Sequence, residues 1–220
     1  MRRDPPVIGR RRVFQGAAAA GAAVAASTEA SARNDPEATP MSELTSDEII
    51  SALKLEPNAT CGFVRVTFLS TQQVAAGSLP APFADARPLG SALYFMVTSG
   101  APVRLHRIRN DQLYHYYLGD PLEVLLLHAD GTVERIIVGP DLCAGQHVQL
   151  FIPGGTFHTA RLIGQRCFLG ASTEWPGVIP ADVEIGDVEE LARQYPSVAA
   201  DLRAIAASVR EVAPAGTGPR

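Results

Sequence analysis

From Phe63 to Thr173 apolar and polar side chains alternate with a period of two, the spacing of strands that bury one face. The alternation predicts strands over Phe63 to Leu69, Ala92 to Val97, Val103 to Ile108, Leu113 to Leu118, Leu122 to His128, Val133 to Val138, His147 to Ile152 and Phe168 to Thr173. Turns rich in Gly, Pro and Asp separate them. Gly119-Asp120-Pro121 is one, and Asp130-Gly131 between two apolar runs is a two-residue hairpin signal. The stretch from Gln72 to Pro88 is a longer loop, of a length that often serves as a lid or a mobile surface. At both ends of the chain the period changes. Thr45-Ser46-Asp47-Glu48 is a capping-box pattern followed by an apolar stripe of Ile49, Ile50 and Leu53, which predicts a short helix ending before Pro57. Asp187 with Glu190 repeats the pattern before Leu191, and Pro196 opens a second segment with Val198, Leu202, Ile205 and Val209 along one face. Many short strands with no helical pattern between them imply an all-β sandwich or barrel with short flanking α-helices, the two closing ones covering one side or a partner.

Composition narrows the classes without changing that picture. The 220 residues are 46% hydrophobic and 19% charged, with 17 Pro and 19 Gly, which suits one compact turn-rich domain plus appendages. A formal net charge of −4 argues against a nucleic-acid partner, and no window approaches the roughly 20 apolar residues of a membrane span. Five arginines, at positions 2, 3, 10, 11 and 12, precede a mildly apolar Ala/Gly stretch from Gly16 to Ala26, and Ala30-Ser31-Ala32 offers the small residues of a cleavage site. Arg11-Arg12-Val13-Phe14 resembles a twin-arginine motif, whose cargo crosses the membrane already folded, so residues 1–32 read as an export signal and the protein as periplasmic. Residues 33–44 read as a flexible linker, 45–212 as the folded domain and 213–220 as a disordered tail. Cys61, Cys143 and Cys167 are an odd set without CxxC spacing, so neither a zinc ribbon nor a disulfide scaffold is indicated.

Two motifs carry a resemblance. Gly100, His106, Gln112 and Gly119 fall at the spacing of the first cupin motif, and Pro153-Gly154-Gly155-Thr156-Phe157-His158 is the P-x-G-x-x-H turn of the second. The chain therefore resembles the cupin superfamily, and more closely its family five. That family's pattern W-H-x-x-x-S-D-E-x-W-H-x-Y-x-G-x-P-L is approximated from Leu105-His106 to Pro121-Leu122. The resemblance runs from about Leu55 to Tyr195 and implies a double-stranded β-helix, the cupin jelly-roll barrel. It also implies a homodimer paired through sheet edges.

The departures from the pattern bear most on function. A metal-binding cupin resembles a site of three His and one Glu, suited to iron, manganese, nickel or zinc. Here the second His is Ile108 and the Glu is Gln112, which leaves His106, His158 and possible support from the Gln112 amide for any divalent transition metal. No cofactor is firmly implied. His158 resembles ordinary cupins more than family five, where this position is often Gln. If His106 and Gln112 point inward, alternation places Ile108, Tyr114 and Tyr116 inward too, and His115 and Tyr117 outward. Such an interior has the profile of a small-molecule site, with His106, His158 and Tyr114 as candidate catalytic groups and Gln112 and Tyr116 as candidate ligand contacts. The family pattern L-x-P-H-P-E-G-G-Y-F-R-E-T-Y-R-S corresponds to Leu55 through Ser70. It keeps Arg65 and Thr67 as further candidate ligand contacts and replaces the family's Glu with Thr60. An inward Arg65 would hold an anion bidentately, and an outward one would be a surface cation. There is no G-x-S-x-G elbow, P-loop or G-x-G-x-x-G. Three readings stay open: a metal-independent small-molecule binder with isomerase-like or epimerase-like chemistry, a metal-dependent oxygenase, isomerase or lyase, and a non-catalytic interaction module with a filled barrel.

Overall fold

The structure, a computed structural model, describes residues 44–210. The export signal, nearly all of the linker and the C-terminal tail expected from the sequence lie outside the described residues. Helix α1 (Ser46–Leu53) begins where the capping box places it. The Thr45 hydroxyl accepts from the Glu48 N–H, and the Glu48 carboxylate accepts from the Thr45 N–H. Thirteen strands follow: β1 (Glu56–Pro57), β2 (Phe63–Leu69), β3 (Gln73–Val74), β4 (Arg87–Pro88), β5 (Ser91–Val97), β6 (Val103–Ile108), β7 (Asp111–Gly119), β8 (Leu122–Leu127), β9 (Val133–Val138), β10 (Gln149–Ile152), β11 (Phe157–Leu162), β12 (Phe168–Trp175) and β13 (Val183–Ile185). Helices α2 (Val188–Gln194) and α3 (Ala199–Ser208) end the described chain, and none of its helices is long and apolar enough to cross a membrane.

Two antiparallel sheets face each other. One runs β1-β2-β5-β12-β7-β10, the other β13-β6-β11-β8-β9, and β3 pairs only with β4 inside the long loop. Between them Phe95, Tyr114, Leu150, Ile152 and Phe168 of the first sheet pack on Val103, Val124, Leu126, Val138 and Ala160 of the second. The period-two pattern predicts such an all-β sandwich with short helices, and the jelly-roll form is the one the resemblance implies. Strand β8 does not alternate, because it is buried on both faces. Val124 and Leu126 face the barrel, while Leu125 and Leu127 meet Leu191, Val198, Leu202 and Ile205 of the closing helices. Helix α1 covers part of the other sheet, with its Ile49 and the following Leu55 against Met96, Cys167 and Leu169. All three cysteines are free.

Strand β11, which carries His158, has no counterpart among the strands read from the alternation, and β12 runs to Trp175 instead of stopping at Thr173. Gly119 ends β7 with a φ of 95°, and a Cβ there would lie 2.0 Å from the Cys167 carbonyl oxygen, so this motif glycine is fixed by close strand approach.

Candidate functional site

One end of the barrel is filled and the other is hollow. Aromatic rings close the filled end: Tyr116 packs edge-on against Phe168 and its hydroxyl donates to the Gly119 carbonyl at 2.8 Å. The hollow end is a cavity of about 380 Å³. Val64, Val66, Leu93, Ile108 and Val183 give it aliphatic walls, among which His106, Gln112, Tyr114, Ser172 and Glu174 project. The segment from Val178 to Pro180 forms its lip. Behind the lip lies a fully buried ion pair, in which the Arg87 guanidinium donates to Asp182 at 2.8 Å and joins β4 to the turn Pro180–Asp182.

Strand register brings the two histidines together. His106 on β6 is the cross-strand partner of His158 on β11, and their rings lie 4.3 Å apart. Each Nδ1 donates to the carbonyl two residues back, His106 to Arg104 at 2.7 Å and His158 to Thr156 at 3.2 Å. Because a carbonyl can only accept, both rings carry their proton on Nδ1 and a lone pair on Nε2. The Tyr114 hydroxyl donates to the His158 Nε2 at 3.0 Å and so occupies that lone pair, while the His106 ring borders the cavity. Burial pushes the His106 pKa down to about 4. It drives that of His158 well below the ordinary range, with His106 as the second cause. Both rings are therefore neutral at pH 7. Burial likewise holds the Tyr114 hydroxyl well above its usual range and lifts the Cys61 thiol, which lines the cavity, to about 11.

Not every candidate from the sequence reaches this chamber. His106, Gln112, Tyr114 and Ile108 line it, and His158 sits directly behind Tyr114. Tyr116 points into the barrel but at its filled end. On β2 the lining residues are Val64, Val66 and, past a bulge, Leu69, which leaves Arg65 on the opposite face, where it donates to the Leu53 carbonyl at the end of α1. Thr67 is the extra residue of a β-bulge and donates to the Ala92 carbonyl. His115 faces outward, as alternation requires, between Thr173 and Gln149.

Glu174 is the functional candidate that sequence reasoning missed. It is the cross-strand partner of Gln112 on β12, it is buried, and its carboxylate accepts from the hydroxyls of Ser91 and Ser172. Burial raises its pKa, and those two hydrogen bonds oppose the rise. The signal was the inward parity of Ser172 and Glu174 in a strand extended two residues past Thr173.

The donor set does not fit the divalent metal that the cupin resemblance implies. The His158 lone pair is taken by Tyr114, and Gln112 contributes only a neutral amide. Among the described residues no three His, Cys, Asp or Glu side chains gather as a metal-holding group.

A family model described as "Cupin superfamily (DUF985)" matches residues 47–186. Among solved structures, a hypothetical protein from Leishmania major is similar with a TM-score of 0.66 and 23% identity, over 74% of this chain and 98% of its own. A protein from Shewanella oneidensis gives 0.65 and 24%, over 76% and 98%. Oxalate decarboxylase from Bacillus subtilis is more distant, at 0.41 and 12% over 68% of this chain and 36% of its own. No curated protein matches.

Proposed function

Because the chain belongs to the cupin superfamily, in the family described as DUF985, we propose that it is an exported protein whose barrel binds a small polar molecule without a metal. The observation that supports this is the cavity itself: an apolar chamber of about 380 Å³ with a few convergent polar side chains, at the hollow end of an otherwise packed barrel. Small-molecule sites have this make-up because apolar walls supply affinity and a few fixed polar groups supply orientation. His106 is a neutral hydrogen-bond acceptor in the chamber, its orientation fixed by the Arg104 carbonyl. If proton transfer accompanies binding, as in an isomerase or epimerase, His106 is the one of the three candidate catalytic groups with a free lone pair, because Tyr114 and His158 are already joined to each other. Export rests on the twin-arginine-like segment in residues 1–32. Pairing into a homodimer is supported by the exposed Phe68 on β2 and by Val66 and Leu69, which border the open side of the cavity and are themselves exposed.

The test is a thermal-shift screen against sugars, polyols, amines and small acids, followed by titration calorimetry on every hit. A ligand at 100 times its Kd stabilises the fold by about 2.7 kcal/mol, well within detection. The expected result is at least one ligand whose binding is weakened by His106→Ala in a protein that still melts cooperatively. Silence across the panel, together with a gain in stability when Ile108→Phe fills the chamber, would show a barrel built only to be packed.

A further inference from the structure

The cavity has one acidic side chain, Glu174, and among the described residues no Lys or Arg lines it. Glu174 is 3% exposed. The Ser172 hydroxyl donates to its Oε1 and the Ser91 hydroxyl to its Oε2, both at 2.5 Å. Ser91 Oγ in turn accepts the Val178 N–H at 3.2 Å, which directs the single serine proton at the carboxylate. Two hydroxyls aimed one at each oxygen suit an anion, and each oxygen keeps a lone pair for a third partner. None of the ion pairs among the described residues includes this carboxylate. The other titratable groups of the chamber, His106, Tyr114 and Cys61, are neutral at pH 7 and offer it no counter-charge. A carboxylate buried among aliphatic walls without a cation is costly, and that cost is offset when a cation enters and forms a charge-assisted hydrogen bond.

We propose that Glu174 is the anchor of a cation subsite, and that the cavity's ligand is a small organic ammonium with an apolar body. The ammonium meets Glu174, the body lies against Val64, Leu93 and Ile108, and a hydroxyl on the ligand donates to the Nε2 of His106 on the opposing sheet. Carboxylate and phosphate ligands are disfavoured, because they bring a like charge to Glu174 with no basic side chain in the lining to receive them. The inference rests on reading the cavity as a small-molecule site and adds the charge of what it takes.

Three probes that share one body and differ only in the end group decide it: tyramine, tyrosol and 4-hydroxyphenylacetate, carrying an ammonium, a hydroxyl and a carboxylate. Titration calorimetry on the purified protein at neutral pH should rank tyramine at least about tenfold tighter than tyrosol, with the acid weakest. Glu174→Gln, which keeps the shape and an oxygen for a serine, should remove that preference, so that tyramine binds no more than about twofold tighter than tyrosol in the variant. The ranking on the natural chain needs no variant, so the inference can fail even if Glu174→Gln does not fold. Tighter or equal binding of the alcohol or the acid overturns it, as does a tyramine preference that survives in folded Glu174→Gln. Binding of none of the three also sinks it, and the small-molecule reading falls with it only if the broad panel is silent too.

Discussion

At the scale of single residues, burial decides which protons the cavity holds. His106 has its pKa lowered from 6.5 to about 4, so between those values the unfolded chain binds a proton that the folded chain refuses. Its contribution to stability is full above pH 6.5 and is lost as the pH falls through that window, a difference on the order of 3 kcal/mol for a fully buried ring. His158 acts in the same direction. Urea denaturation at a series of pH values should therefore show midpoints falling from pH 7 to 4.5, with a shallower fall in His106→Gln. Glu174 has the opposite sign, since its folded-state pKa is raised above 4.5 and its contribution is lost as the pH rises through that raised value. Glu174→Gln is accordingly expected to raise the neutral-pH denaturation midpoint while weakening binding of a cation. Tyr114→Phe removes the donor to His158 and leaves a buried Nε2 without a partner, which should cost about 1 to 3 kcal/mol in the same assay. Of these residues His106, His158 and Tyr114 were legible in the sequence, through motif spacing and parity. Glu174 was not, because a glutamate after Ser172-Thr173 reads as the polar end of a strand until Trp175 is seen still paired with Asp111.

At the scale of elements, the period-two signal located most of the long strands of both sheets. It placed β2, β6 and β9 at their observed bounds. It missed β11, whose His158, Thr159 and Ala160 are all buried, so that no alternation exists to be read. Parity also left Arg65 open, because nothing in a single strand says which of its faces meets the other sheet. The answer lies in the pairing of β2 with β5, which puts Val64 and Val66 inside. The closing helices were legible from their caps and stripes, and their role follows from the outer face of the second sheet. Asp201 of α3 accepts from Arg135 on β9 and Arg161 on β11, but apolar contact dominates the docking. Leu202→Ala, which empties a site 2% exposed, should cost about 2 to 5 kcal/mol in chemical denaturation. The Arg87–Asp182 pair is of another kind. Arg87→Ala leaves Asp182 charged and buried, for an expected loss of about 3 to 5 kcal/mol. Because that turn carries the lip of the cavity, ligand affinity should fall along with the denaturation midpoint.

At the scale of the whole molecule, the barrel divides its interior between a packed end that carries stability and a hollow end that supports binding. The two substitutions in the cupin motif, Ile108 and Gln112, fall in the hollow end, so the departure from a metal site changes the lining without touching the core. Elemental analysis of protein incubated with iron, manganese, nickel and zinc and then freed of excess metal is expected to show well under one equivalent of any of them. Stoichiometric metal that depends on both His106 and His158 would overturn that expectation. The three free cysteines lie at three depths of the same architecture: Cys143 exposed on the turn Leu142–Ala144, Cys61 in the wall of the cavity and Cys167 beneath α1. The unmodified chain thus carries its own set of clocks for a thiol reagent. Cys143 marks the time of mixing, Cys61 reacts slowly because burial keeps its thiol protonated and slows further when a ligand covers it, and Cys167 reacts only when α1 lifts or the barrel opens.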